Sequence, residues 1–133
     1  MKPLAKVASG GELSRISLAI QVLVSLGSDA PCMVFDEVDV GVGGATAETV
    51  GRLLRKLAKS AQVLCVTHQP QVASLGHQHY KVSKASKAKV TSTAIEVLSD
   101  DARVDEIARM VGGVTITDTT RQHAKEMLNR GKV

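Results

Sequence analysis

Cys32-Met33-Val34-Phe35-Asp36-Glu37-Val38-Asp39 is the run on which the architecture turns. Four apolar residues stand together after Pro31 and end in two acids. The run is too short for a helix and lacks polar alternation, the pattern of a strand buried on both faces, as in parallel sheets. Downstream, Gly41 to Gly44 reads as a flexible turn and Thr46 as the cap of a helix. Val50, Leu53, Leu54, Leu57 and Ala58 recur at helical spacing, with Arg52, Arg55, Lys56 and Lys59 outside or toward the helix end. Val63-Leu64-Cys65-Val66 repeats the buried-strand pattern and runs into Thr67-His68. Strand, helix and strand with short connections make the right-handed parallel unit of α/β proteins.

Upstream, Ser9-Gly10-Gly11-Glu12 opens a helical pattern through Leu13, Ile16, Ile20, Leu23 and Val24, and Ser9 and Glu12 have capping-box spacing. This motif follows Met1 closely with no preceding strand, so the chain reads as a fragment. From Gln78 the texture changes: Tyr80 and Val82 alternate with polar residues, a lysine-rich stretch follows from Ser83 to Lys89, and Val90 to Leu98 returns. This predicts a hairpin. Asp100 or Asp101 is expected to cap a helix through Met110, closed by Gly112-Gly113, and Asp118 a last helix through Leu128.

The chain has 133 residues, 44% hydrophobic and 23% charged, which fits one globular unit with a real core. Phe35 and Tyr80 are the only aromatics, so that core is aliphatic. A net charge of +4 allows nucleic acid nearby without arguing for it. Cys32 and Cys65 sit in apolar runs and read as reduced, buried and cytosolic. No apolar run is long enough to span a bilayer and there is no signal peptide, which predicts a cytoplasmic protein.

Three features could carry chemistry. In open α/β sheets ligands bind beyond the carboxyl ends of the strands, where Asp36 and Glu37 emerge. One carboxylate there can hold magnesium, usually through water, and the next can orient or deprotonate an attacking water. The bland alternative is that two acids begin a solvated loop. Ser9-Gly10-Gly11-Glu12 leaves backbone N–H groups open to an anion at a helix start, or is an ordinary capping box. His68, after the second strand, can donate to a terminal phosphate or serve structure alone.

The order of these features is more specific than any one of them. Ser9-Gly10-Gly11-Glu12 resembles the ABC ATPase signature motif, Met33 to Glu37 Walker B, Val38-Asp39 the start of the D-loop, and Thr67-His68 the switch histidine. The stretches KVASGGELSRISLAIQ, FDEVDVGVGG, VTHQPQVA and GHQHYKVSK closely resemble the C-terminal head segment of the RecN family, SMC-like ABC ATPases with a coiled coil. The resemblance extends over nearly the whole chain and implies one domain segment, 1–133, forming the C-terminal lobe of a P-loop ATPase head. It implies bacterial double-strand-break repair and recombination, nucleoid association, ATP and Mg2+ as cofactors, and a second head joined in an ATP-dependent dimer. By that resemblance Asp36 holds the metal, and Glu37 and His68 are catalytic. Ser9, Gly10, Gly11 and Glu12 meet nucleotide from the opposite head, and Asp39 sits at the dimer seam.

The G-x-x-x-x-G-K-[ST] phosphate loop is missing; Gly131-Lys132 is followed by Val133 and fails the pattern. In SMC-like proteins this loop lies on the N-terminal part of the head, so that missing half is an expected partner, and weak or no ATP binding is expected of this chain alone. DNA is expected to act through the full-length protein. Two other classes compete: a zinc module using Cys65, His68, His77 and His79, and a nucleic-acid module using Lys81, Lys84, Lys87 and Lys89.

Overall fold

The first apolar run becomes strand β1, Cys32–Phe35, lying parallel to β2, Gln62–Cys65, with Cys32 beside Gln62 and Phe35 beside Cys65. Helix α1, Gly44–Leu57, connects them, as the strand–helix–strand reading requires. The computed structural model describes residues 30–36, 39, 41–87, 90–113 and 115–131. The helix expected after Ser9 lies outside these residues. The chain divides into two units, Met1–Leu75 and Gly76–Val133, each described by itself.

In the first unit, Phe35, Val42, Ala47, Val50, Leu54, Leu57 and Val72 form the core, with Met33, Val63 and Cys65 packed against it. The strand period of two therefore sends Met33, Phe35, Val63 and Cys65 inward. Val34 is 68% exposed, and Leu64 and Val66 are exposed as well. The expected burial on both faces thus holds for one face only, because no described element covers the other. Cys32, expected buried, is exposed for the same reason.

Helix α1 starts two residues before Thr46, with Gly43 as its extended N-cap. Gly44 has φ +43°, a left-handed conformation that glycine adopts without a Cβ clash. Leu53 falls off the buried stripe of Ala47, Val50, Gly51, Leu54 and Leu57 and is exposed. A Cβ on Gly51 would stand 2.7 Å from Leu75 Cδ1 and 3.2 Å from Val72 Cα. The bare glycine therefore lets α1 lie against α2, Pro70–Ala73, a single turn that the sequence reading did not anticipate.

In the second unit, β3, Tyr80–Lys87, and β4, Val90–Val97, form the expected antiparallel hairpin, pairing Tyr80 with Val97 and Val82 with Ile95. Helices α3, Asp100–Gly112, and α4, Asp118–Arg130, pack on each other. Both are capped earlier than the reading, by one or two residues for α3 and by one for α4. Ser99 caps α3 by accepting from Ala102 N, and Thr117 caps α4 in a reciprocal box with Thr120. Asp100, Asp101 and Asp118 instead occupy first turns, where the helix dipole favours negative charge.

Glu106 on α3 ties this unit together. Lys81 Nζ on β3 lies 2.7 Å from its carboxylate, and Arg109 Nε donates to both oxygens at 3.0 and 3.1 Å. The hydrogen bonds from Arg109, aided by Lys81, outweigh burial and hold the Glu106 carboxyl down at about 2.

Candidate functional site

The two parallel strands end side by side. Val66 N donates to Phe35 O at 2.8 Å, so the segments that leave β1 and β2 start at one carboxyl edge. Asp36 is the first residue past β1 and is exposed. His68 is three residues past the end of β2, its side chain 69% exposed. A carboxyl side chain and an imidazole thus emerge at the sheet edge where α/β proteins place their ligands.

Asp39 lies behind them with only 1% of its surface exposed. Its Oδ2 accepts from Thr67 Oγ1, and from the backbone N–H groups of His68 and Gln69 at 3.1 Å each. A buried carboxylate needs such donors, and bonds to an ionised acceptor are the stronger kind. Its Oδ1 lies 3.6 Å from His68 Nδ1 and has no hydrogen bond among the described residues. Gln69 Nε2 donates to Val42 O at 3.2 Å and stands 3.5 Å from His68 Nε2. The Asp39 carboxylate is turned inward, where the donors of residues 67–69 gather on it.

Nearby, burial first, and then the charges of Asp39 and Asp36, push the Cys65 thiol up to about 11. A thiol so placed stays protonated and unreactive at neutral pH.

Of the residues read from sequence, Asp36, Asp39 and His68 come to one edge. Ser9, Gly10, Gly11, Glu12 and Glu37 lie outside the described residues. Thr67 was read only as part of the histidine motif, and Gln69 only as part of a family stretch. Both hold the histidine segment, and polar residues directly after an apolar strand were the available signal. For the zinc reading, no group of three or more His, Cys, Asp or Glu side chains gathers among the described residues. For the basic-hairpin reading, Lys81 is engaged by Glu106, Lys84 is exposed, and the Lys87 side chain and Lys89 lie outside the described residues.

Relatives supply the comparison that geometry alone does not. A protein of Vibrio cholerae named DNA repair protein RecN is 56% identical over 128 residues, 96% of this chain. Its namesake in Bacillus subtilis is 45% identical over 130 residues, 98% of this chain. The chain belongs to the RecN family. It spans 23% of the length of each of these RecN relatives. No family model matches it. Among solved structures, one from work on ATP-driven dimerization and DNA-stimulated activation of SMC ATPases has a TM-score of 0.66 and 20% identity, covering 83% of this chain and 66% of the other. The SMC head domain from Thermotoga maritima gives a TM-score of 0.55 and 27% identity, covering 71% of this chain and 34% of the other. This RecN segment therefore has the α/β fold of part of an SMC ATPase head.

Proposed function

We propose that this segment contributes to the ATP-hydrolysing head of a RecN-like DNA double-strand-break repair and recombination protein, acting at the bacterial nucleoid. The observation that carries this reading is the shared carboxyl edge of two parallel strands, with Asp36 beyond one and His68 beyond the other. The site is incomplete in this chain, whose sequence holds no phosphate-cradling loop. The exposed apolar residues Val34, Leu64 and Val66 support a covering partner segment, since parallel sheets are normally covered on both faces. The partner is the N-terminal head half with that loop, and a second head completes an ATP-dependent dimer. DNA acts through the full-length protein. Among the described residues no helix is long and apolar enough to cross a membrane.

Asp36 fits a magnesium ion by its chemistry: a hard, exposed carboxylate oxygen without other protein ligands grouped around it among the described residues. Magnesium keeps several waters and is commonly held by one or two carboxylates with phosphate oxygens. Bound there, the ion would neutralise developing phosphate charge. Glu37 takes the proton of the attacking water as general base. His68 contacts the terminal phosphate at its exposed ring edge. Ser9, Gly10, Gly11 and Glu12 serve the phosphates of the nucleotide on the opposite head.

Glu37→Gln in the full-length protein tests this assignment. Hydrolysis should fall by about 10²- to 10⁴-fold, the usual contribution of a general base, while ATP-dependent head pairing persists. Normal turnover would remove Glu37 from that role.

A further inference from the structure

We propose that Asp39 is the positioning residue for His68: its buried carboxylate turns the ring so that Nδ1 faces inward and Nε2 is left at the nucleotide edge. The proposal rests on the reading that His68 acts in hydrolysis.

Two independent contacts give the ring the same orientation. On one side, the bare Oδ1 of Asp39 lies 3.6 Å from Nδ1, outside hydrogen-bond length but facing it, and a carboxylate oxygen can only accept. On the other side, the Gln69 side-chain nitrogen lies 3.5 Å from Nε2. That amide is oriented by its bond to Val42 O, which requires the NH2 end, so it presents a donor to Nε2. Nδ1 therefore faces an acceptor and Nε2 a donor. In the neutral ring both favour a proton on Nδ1 and a lone pair on Nε2. When the ring carries a second proton, Nδ1–H remains toward Asp39, and Nε2–H can donate to a phosphate only once the Gln69 amide gives way.

The three bonds to Oδ2 give the carboxylate its fixed direction. Thr67 Oγ1, His68 N and Gln69 N all donate to that one oxygen, which leaves the other for the imidazole. Asp39 thus holds the backbone that carries His68 and presents its second oxygen 3.6 Å from the ring. An acid behind a histidine sets tautomer and direction in the same way in the serine-protease triad.

The substitution Asp39→Asn separates the two roles. Its amide oxygen can accept from residues 67–69 in place of Oδ2, which turns the NH2 group toward Nδ1. The loop is kept and the ring's partner changes from acceptor to donor. Ring-nitrogen NMR shifts of the 133-residue chain, read on the high-pH plateau where they no longer change with pH, should show His68 protonated at Nδ1 in the wild type and at Nε2 in Asp39→Asn. An Nε2–H tautomer in the wild type overturns the proposal whether or not the variant folds.

In the full-length protein, Asp39→Asn should lower kcat by about 10- to 100-fold with little change in KM, the scale found for outer partners that orient a histidine. The double variant with His68→Ala should be no slower than His68→Ala alone, because Asp39 acts through that ring. Full activity in Asp39→Asn beside a slow His68→Ala would defeat the positioning role while leaving His68 in hydrolysis. Losses that multiply in the double variant would also defeat it. Unchanged kcat in His68→Ala would remove the underlying reading of His68, and the proposal with it.

Discussion

Replacing Glu106 with Gln removes the charge that joins β3 to α3. In the folded chain this carboxyl is held at about 2, against an ordinary value of 4.5. At about 1.4 kcal/mol per unit the difference corresponds to about 3 kcal/mol. Glu106 is 8% exposed, but its partners Lys81 and Arg109 are 39% and 52% exposed, so water and salt screen part of the attraction. A net contribution of about 1–2 kcal/mol is expected. Because the folded value is depressed, this contribution is complete above pH 4.5 and is lost as pH falls toward 2. Tyr80, the only tyrosine in a chain without tryptophan, lies next to Lys81 and reports on this unit by fluorescence. Urea unfolding should therefore show wild type more stable than Glu106→Gln by about 1–2 kcal/mol at pH 7, with the gap closing near pH 2. A constant gap, or none at pH 7, would refute the ion-pair account.

His79 gives a second acid window in the same unit. Burial first, and then the charge of Arg103, push its imidazole below 6.5, so the neutral ring is favoured in the folded state. Stability from this source should be complete above pH 6.5 and fall as pH drops below it; His79→Asn should flatten that part of the urea-stability profile. Leu54→Ala, in the buried stripe of α1, should cost about 2–5 kcal/mol in chemical denaturation of the first unit, whereas Leu53→Ala on the exposed side should cost well under 1. A thiol at about 11 is ionised to roughly one part in a thousand at pH 8, so a thiol reagent followed by mass spectrometry should label exposed Cys32 long before Cys65.

The sequence made the parallel unit legible because β1 and β2 are short apolar runs separated by one helical period pattern. It overstated their burial: a run of four apolar residues shows that a strand forms, and Val34 and Leu64 do not reveal whether both faces are covered. The caps lie ahead of the expected aspartates for a local reason. Ser99 and Thr117 can cap as well as the aspartates after them, and the acids are then favoured in the first turn. Helix α2 is four residues long and too short to carry a period. At the site, Asp36 and His68 were legible as strand-end residues, while the burial of Asp39 was not. An acid between a strand and a glycine turn reads as solvated, and its donors lie at residues 67–69, far along the chain.

The split-site account is tested by mixing this chain with a separately made RecN-family segment that carries the phosphate loop, then measuring magnesium-dependent ATP hydrolysis. Each segment alone serves as the control. Turnover only in the mixture, abolished by Asp36→Asn, is the predicted result. No turnover from a mixture shown to be folded and associated would contradict it, as would full turnover by this chain alone.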